Sequence, residues 1–134
     1  MSLRPETIRG TTRGASDGSA VVDYRLTRQQ VVRQYRKGRL SREEVCDAHP
    51  ELRRAALMAS RPTSESCPIC EDGELAHVTY AFGPRLPPGG RCITTTGEMA
   101  RLSRGRALVT CYVVEVCPDC AWNHLTRAFQ IGGS

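Results

Sequence analysis

The chain has 134 residues, a formal net charge of +5 and seven cysteines, and its length suits one domain or two small domains with modest cores. No run approaches the roughly 18 apolar residues of a membrane-spanning helix, and the N-terminus lacks the apolar centre of a secretory signal, so the sequence predicts a cytoplasmic protein without a membrane partner. Cytoplasmic thiols stay reduced, and an odd number of cysteines also argues against a complete disulfide framework.

Positive charge is concentrated in the first half of the chain. Residues 1–64 carry 13 Arg and Lys against 7 Asp and Glu, whereas residues 65–134 carry 6 against 7. This distribution predicts a face for phosphate or for an acidic protein surface. Basic surfaces also serve solubility, and 18 of the 19 cations are Arg, so genome base composition is an alternative explanation.

The chain divides into three predicted segments. Residues 1–20 form a flexible arm, because Gly, Ser, Thr and Arg without periodicity cannot bury enough apolar surface to offset the entropy of ordering. Residues 21–62 form a basic helical unit, and residues 63–134 form a zinc ribbon with an inserted hairpin and short helix. The predicted fold class is α+β, with the N-terminal three-helix unit packed on the antiparallel zinc-ribbon β domain.

The helical unit has recognisable helix boundaries. Thr27 with Gln30 forms a capping box for the first helix, and Gly38 suits its left-handed C-terminal cap. Ser41 opens a short second helix through another capping box, and Pro50 suits the first turn of the third. The unit is either a helix-turn-helix reader or a helical prop packed on the rest of the chain. The prop is favoured, because the turn DAHP lacks the glycine often found in such readers.

The second half of the chain is predicted to consist mainly of strands. Candidate strands cover residues 75–82, 92–96, 107–116 and 122–131, and residues 98–104 suit two helical turns. The third of these strands is apolar on both faces, which predicts a central position in the sheet. The final strand is expected to pair with it.

Two Cys-x-x-Cys pairs, CPIC and CPDC, predict one metal site. Each pair places two thiolates on one tight turn, and two such turns complete a tetrahedron around zinc with Zn–S bonds of about 2.3 Å. Iron fits the same sulfurs, but a single zinc ion is favoured because nothing in the sequence indicates electron transfer. The predicted ligands are Cys67, Cys70, Cys117 and Cys120.

Other chemistry at the cysteines is less well supported. CPIC resembles a thioredoxin-type dithiol, but it lacks the βαβ surroundings of such motifs. Oxidation of zinc thiolates leaves a redox switch as an alternative. Four protein sulfurs leave no open position for water, and no catalytic triad, phosphate-binding loop or carboxylate pair stands out. The sequence therefore predicts a protein that is not an enzyme and has no small-molecule substrate.

Three cysteines remain to be placed, and two of the three histidines lie near the pairs in sequence. Cys46 and Cys111 are predicted to be buried core residues, and Cys92 is not assigned. A second metal site of Cys92, Cys111 and a histidine is conceivable but not favoured. His77 and His124 are near enough to the pairs to donate a hydrogen bond to a thiolate, although a partly exposed strand position is the more common outcome.

Basic residues are the candidate contacts to a partner. They lie in the arm, on and just after the first helix, and around a Pro/Gly-rich loop. The predicted contacts are Arg28, Arg33, Arg36, Lys37, Arg39, Arg42, Arg85 and Arg91, with Arg4, Arg9 and Arg13 in the arm.

The run VDYRLTRQQVVRQYRKGRLSREEVCDAHPELRRAA, followed by CPIC, LPPGGRC and CYVVEVCPDCAWNHL, resembles a family of small actinobacterial proteins of unknown function. The resemblance covers residues 21–131 and implies a cytosolic protein with a zinc ribbon. The ribbon is similar to those of transcription factors, RNA polymerase subunits and ribosomal proteins. Those ribbons often carry glycine directly after each pair, where this chain has Glu71 and Ala121, so no subtype is assigned.

Together these features predict a non-enzymatic accessory factor that docks on transcription or translation machinery. Its partner would be RNA polymerase, the ribosome or nucleic acid, bound through the basic helical half of the chain. A redox- or zinc-responsive regulator is one alternative. A purely protein–protein adaptor is the other, and it predicts that removing the basic side chains of the first helix leaves partner binding unchanged.

Overall fold

The computed structural model describes residues 21–58 and 61–133. The predicted arm, with Arg4, Arg9 and Arg13, lies outside these residues. The described part has a mixed α and β fold, and its helices are α1 (Arg25–Arg36), α2 (Arg42–Val45), α3 (Pro50–Met58) and α4 (Thr96–Ser103). Its strands are β1 (Val22–Asp23), β2 (Arg61–Ser66), β3 (Glu74–Phe82), β4 (Arg91–Ile93), β5 (Leu108–Val116) and β6 (Asn123–Gly132). No helix in this part is long and apolar enough to cross a membrane.

The strands form one antiparallel sheet in the order β1–β6–β5–β3–β2, and β4 pairs with the far part of β3. β5 lies between β3 and β6, so the predicted central strand and its pairing with the final strand are confirmed. Because β3 and β5 are antiparallel, the turn before β3 and the turn after β5 lie at the same end of the sheet. The two Cys-x-x-Cys pairs occupy these turns, and the topology brings them side by side.

The segment between β3 and β5 covers the opposite end of the sheet. Thr95 caps α4 by accepting a hydrogen bond from the Glu98 N–H at 3.1 Å, so the helix begins two residues before the predicted range and β4 ends early. Met99 and Leu102 of α4 pack against a cluster that contains Cys111. The insertion thus closes a small core of its own, away from the cysteine pairs.

α1 begins before the predicted capping box. Its N-cap is Tyr24, which makes no side-chain cap, and the N–H of Arg25 donates to the Asp23 Oδ1 at 2.8 Å. The Tyr24 N–H donates to the carbonyl of Thr126 at 2.9 Å. Pairing of β1 with β6 therefore sets the start of the helix, and the prediction that Thr27 caps it is wrong.

The end of α1 follows the local sequence. Gly38 has a φ of 76°, and its N–H donates to the Tyr35 carbonyl at 2.9 Å. The next N–H, of Arg39, donates to the Gln34 carbonyl at 3.0 Å. These two bonds form a Schellman cap, for which a glycine in the left-handed conformation is well suited.

The first three helices bury their apolar sides against different parts of the molecule. Leu52 and Ala56 of α3 pack on the sheet core that includes Val78. Val32 of α1 and Val45 of α2 pack instead with the cysteines. The Ser41 Oγ caps α2 by accepting from the Glu44 N–H at 3.1 Å, and α3 begins at Pro50. The packing of these helices as a separate unit, and the division into domains, stay predictions.

Candidate metal centre

The first cysteine pair lies in the turn between β2 and β3. The N–H of Ile69 donates to the Cys67 Sγ and the N–H of Gly73 to the Cys70 Sγ, each at 3.4 Å. Two backbone bonds close the turn: the Cys67 N–H donates to the Gly73 carbonyl at 2.8 Å, and the Glu71 N–H to the Cys67 carbonyl at 3.1 Å. The N–H donors favour negative charge on both sulfurs.

The second pair repeats this arrangement between β5 and β6. The Ala121 N–H donates to the Cys117 carbonyl and the Cys117 N–H to the Trp122 carbonyl, both at 2.9 Å. Glu71 and Ala121, directly after the two pairs, have left-handed φ values of 63° and 73°. Glycine adopts this conformation without strain, which explains why similar ribbons often carry glycine there. In this chain both turns adopt the left-handed conformation without glycine.

The two turns bring the four predicted ligands together. The Sγ atoms of Cys67, Cys70, Cys117 and Cys120 all lie within 4.8 Å of one another. The Sγ–Sγ distance is 3.7 Å in both the Cys67–Cys120 and the Cys70–Cys117 pair, whereas a tetrahedron with metal–sulfur bonds of about 2.3 Å has edges of about 3.8 Å. The donor set therefore fits a tetrahedral ion that prefers thiolates, as zinc and iron do.

Burial controls the protonation of the free thiols. It raises the pKa of Cys67 and of Cys117 to about 11 and that of Cys120 to about 12. Burial also acts to raise the pKa of Cys70, but backbone N–H donors outweigh it and the pKa of this thiol is lowered. A metal ion at the centre must displace protons from neutral thiols near pH 7, so metal binding tightens as the pH rises.

The segment from α2 to α3 is fixed to the second cysteine turn. Arg53 of α3 donates from Nε to the Pro118 carbonyl at 2.9 Å and from Nη2 to the Asp119 carbonyl at 3.0 Å. The Ala48 N–H donates to the Ala121 carbonyl at 3.0 Å. Sequence reasoning did not single out Arg53, because an arginine on a short helix is usually a solvated residue.

These contacts place a fifth cysteine beside the centre. The Cys46 Sγ donates to the Cys120 Sγ at 3.5 Å, and both side chains are half-buried. Cys46 packs against the cysteine core cluster but is only half-buried, so its predicted burial is partly correct, whereas Cys111 is buried as predicted. The approach of Cys46 to Cys120 depends on tertiary contacts, which no local pattern in the sequence signals.

Comparison with known proteins places the chain in a family. It matches the family described as "Family of unknown function (DUF5318)" over residues 16–134. The chain belongs to this family. Uncharacterized protein Mb0050 of Mycobacterium bovis and Uncharacterized protein Rv0049 of Mycobacterium tuberculosis are each 35% identical to it over 113 residues, which cover 84% of this chain and 82% of the relative. The resemblance predicted from the sequence is confirmed. No solved structure matches the chain significantly.

Two of the three histidines of this DUF5318 chain lie on strands, His77 on β3 and His124 on β6. His124 is fully buried; its Nδ1 lies 2.7 Å from the Leu125 carbonyl oxygen, and its ring stacks on Trp122. A partly exposed position is thus wrong for His124, whereas His77 is half-buried. In the described part of the chain, the four-cysteine cluster is the one group of three or more His, Cys, Asp or Glu placed to hold a metal. The disfavoured second site with Cys92 is not formed there.

A buried carboxylate ties α1 to the sheet beside the centre. Glu115 of β5 is 3% exposed, and its Oε2 accepts hydrogen bonds from the Arg28 Nε and the Trp122 Nε1, each at 2.7 Å. The sequence predicts Arg28 as a partner contact, but its side chain is 21% exposed and forms an ion pair inside the protein. The sequence does contain a signal for this ion pair: Glu115 lies within the apolar run VVEV, and a buried acid requires a partner.

Basic side chains of α1 line a groove beside the first cysteine turn. The groove has a volume of about 560 Å³ and is lined by Arg28, Gln29, Val32, Arg33, Arg36, Lys37 and Pro68. We call it the basic groove. Arg33, Arg36 and Lys37 are exposed there, and the described residues that line it include no carboxylate. The fold thus gathers part of the predicted contact set on one surface.

The other predicted contact residues lie outside the basic groove. Arg39 and Arg42 are exposed after the end of α1. Arg91 forms an ion pair with Glu98 of α4, with its Nε 2.6 Å from the Oε2. Arg85 lines a separate cavity near α4. The structure therefore does not bring all eight described contact residues to a single face.

Proposed function

We propose that this protein is a zinc-stabilised, non-enzymatic binding module that docks on transcription or translation machinery through the basic groove. The proposed partner is nucleic acid, the ribosome or RNA polymerase. The observation that carries the proposal is the basic groove itself, which joins three exposed cations at the end of α1, Arg33, Arg36 and the C-cap residue Lys37, to the tip of the first cysteine turn at Pro68.

The proposed ion is zinc, held by Cys67, Cys70, Cys117 and Cys120. Four thiolates with a dication leave a net charge of about −2, and a closed shell of four sulfurs leaves no position for a reacting water. The ion would therefore supply structure and not catalysis. Val32 of α1 packs with the buried Cys67, so a metal that fixes the first turn also fixes one wall of the basic groove.

Phosphate is the chemistry that the groove fits best. Arg33, Arg36 and Lys37 recur at helical spacing, so they share one side of α1. The guanidinium group donates two parallel hydrogen bonds to phosphate or carboxylate, and arginine is enriched where phosphate is bound. An acidic protein surface offers carboxylates to the same side chains, which is why the adaptor alternative has to be tested directly.

The test compares two triple variants that lose the same charge. One replaces Arg33, Arg36 and Lys37 of the groove by Ala, and the other replaces Arg101, Arg104 and Arg106 near α4, at the far end of the sheet. Binding is measured against labelled RNA, duplex DNA, ribosomes and RNA polymerase at several salt concentrations. The groove variant is expected to lose at least tenfold in affinity, and its salt slope on duplex DNA falls by roughly 2 to 3. The α4 variant is expected to keep both its affinity and its salt slope within about twofold of the wild-type values.

Three results would count against the proposal. Equal losses in the two variants would mean that only net charge matters. A partner whose binding is unchanged in the groove variant would favour the adaptor. Failure to bind any of the four targets at low salt would overturn the docking role.

A further inference from the structure

We propose that Cys46 is a site of reversible oxidation, at which a hydroperoxide joins Cys46 to Cys120 by a disulfide and releases the metal ion. The inference concerns the cysteine centre and goes beyond the docking role of the basic groove. It rests on the proposed metal site but not on the identity of any partner.

Proximity is the first observation. The Cys46 Sγ lies 3.5 Å from the Cys120 Sγ, and a disulfide requires about 2.05 Å. The Ala48 N–H bonds to the Ala121 carbonyl at 3.0 Å, so the two backbone segments are already in contact within two residues of the sulfurs. Forming the bond then requires the two sulfurs to approach by about 1.5 Å.

Cys46 differs from the four predicted ligands because its thiol is not needed to hold the metal. It is not a member of the four-sulfur group that fits the metal, so pairing it with Cys120 breaks one metal–sulfur bond. A disulfide between two of the four ligands would break two. Cys46, Cys70 and Cys120 are half-buried, whereas Cys67 and Cys117 are buried. The sulfur nearest to Cys70 in the other turn belongs to the buried Cys117 at 3.7 Å, whereas Cys46 and Cys120 are two half-buried thiols whose sulfurs lie 3.5 Å apart.

The reaction consumes one peroxide for each disulfide. The Cys46 thiol gives up its proton, and the Cys120 thiolate leaves the metal. Two electrons pass from the two sulfurs to the O–O bond, which breaks as the S–S bond forms. With hydrogen peroxide the oxygens leave as two waters, which take up the Cys46 proton and one from solvent. A dithiol reductant reverses the step.

Loss of Cys120 leaves three sulfurs at the centre. A structural zinc site normally has four protein ligands, so the ion dissociates from the oxidised form. Because α1 packs on the same sulfur cluster through Val32, metal release also loosens the wall of the basic groove. Oxidation would thereby weaken whatever the groove binds.

The experiment treats full-length, metal-loaded protein with a small excess of hydrogen peroxide. Released zinc is followed with a chromogenic chelator, and disulfides are mapped by mass spectrometry of non-reduced peptides. Wild-type protein is expected to release its zinc and to show a Cys46–Cys120 link, and dithiothreitol with zinc restores the starting state. Cys46→Ser is expected to release zinc at least fivefold more slowly. The matched control Cys92→Ser, which removes another half-buried thiol, behaves as wild type.

Two outcomes would overturn the inference. One is zinc release from Cys46→Ser at the wild-type rate, and the other is a wild-type map in which two of the four ligands are joined and Cys46 remains a thiol. The map needs no variant, so it decides the question even if Cys46→Ser fails to fold. Protein that binds no metal would refute the metal centre instead, and protein that ignores nucleic acid and ribosomes would refute only the docking role.

Discussion

At Gly73 the two cysteine turns approach so closely that a side chain has no room. A Cβ at this position would overlap the Cys117 Sγ and lie 3.1 Å from the Asp119 Oδ2. Gly73 is also part of the first turn, where its N–H donates to the Cys70 Sγ at 3.4 Å. The requirement for glycine here comes from this close approach and not from an unusual φ.

Gly73→Ala is expected to damage the metal centre, because the new methyl group displaces a ligand sulfur. Overpacking of a buried position lowers the free energy of unfolding by about 1–3 kcal/mol, and we expect metal affinity to fall at least tenfold. Gly97→Ala is the matched control: a Cβ there meets nothing within 4 Å, and in helix α4 it should raise stability by roughly 0.5–1 kcal/mol. Chelator competition and urea unfolding measure both effects. If the two variants had the same metal affinity and the same stability, the overlap between the new methyl group and the Cys117 Sγ would be contradicted.

α1 is the element that connects the cysteine centre to the sheet. Its first turn follows β1, which pairs with the edge of β6. Its middle is anchored by the ion pair from Arg28 to the buried Glu115. Val32, one turn further, packs with the cysteine cluster. Arg28 and Val32 also line the basic groove beside the exposed cations Arg33, Arg36 and Lys37, so the groove lies where α1 meets the rest of the protein.

Arg28→Ala is expected to destabilise the fold, because it leaves the Glu115 carboxylate buried without its cation. Removing one partner of a buried ion pair typically costs about 3–5 kcal/mol; we expect the lower end, since Trp122 still donates to the carboxylate. Arg33→Ala removes the same charge from an exposed site and should change stability by less than about 0.5 kcal/mol. Urea unfolding at pH 7 compares them. If the free energy of unfolding changed by a similar small amount in both variants, Arg28 would behave as a surface residue.

The elements that the sequence predicted are those whose apolar pattern is strong. β3 and β5 are rich in buried Val, Leu and Ala, β6 buries Leu125 and Ala128, and Gly38 and Ser41 mark helix ends through local hydrogen bonds. β1 has only two residues, and β2 has the polar sequence RPTSES. Neither carries an apolar pattern, so each forms a strand because it pairs with a neighbouring strand of the sheet. Pro62 lies in β2 at the sheet edge, where proline is tolerated.

The same reasoning explains which parts of the site were found. A double Cys-x-x-Cys motif carries its ligand geometry within two short turns, so the four sulfurs could be placed from spacing alone. Cys46, Arg53 and Glu115 reach the centre through contacts more than 60 residues apart in the chain, such as the 65 residues between Arg53 and Pro118. Such pairings follow from the fold and leave no periodic signal.

At the scale of the whole molecule, the described part of the chain has three apolar clusters, one of which is the core of the insertion with α4. One cluster joins α3 to the sheet through Leu52 and Val114 and contains no ligand sulfur. A second joins Val32 and Val45 to Cys67 and Cys117. The cysteine end of the molecule, with α1 and α2, therefore depends on what holds the sulfurs together, whereas the rest of the sheet has a core of its own.

Removing the metal is expected to reverse the pH dependence of stability. In the loaded protein, protons compete with the ion for four sulfurs, so the free energy of unfolding falls as the pH drops. In the metal-free protein, burial favours the neutral thiols of Cys67, Cys117 and Cys120 and raises their pKa values to about 11–12. That contribution is fully present below the ordinary cysteine pKa of 9.0 and is lost as the pH rises through the raised values.

Urea unfolding of loaded and metal-free protein between pH 5 and pH 11 measures this reversal. Cys70 acts in the opposite direction, since its pKa is lowered, but three raised thiols outweigh one. Near neutral pH, free zinc at 100 times its Kd should add about 2.7 kcal/mol to the loaded protein, and this increment disappears on acidification. If the free energy of unfolding of the metal-free protein rose above pH 9, its thiols would be solvated and not buried. The four sulfurs would then come together only when a metal ion binds.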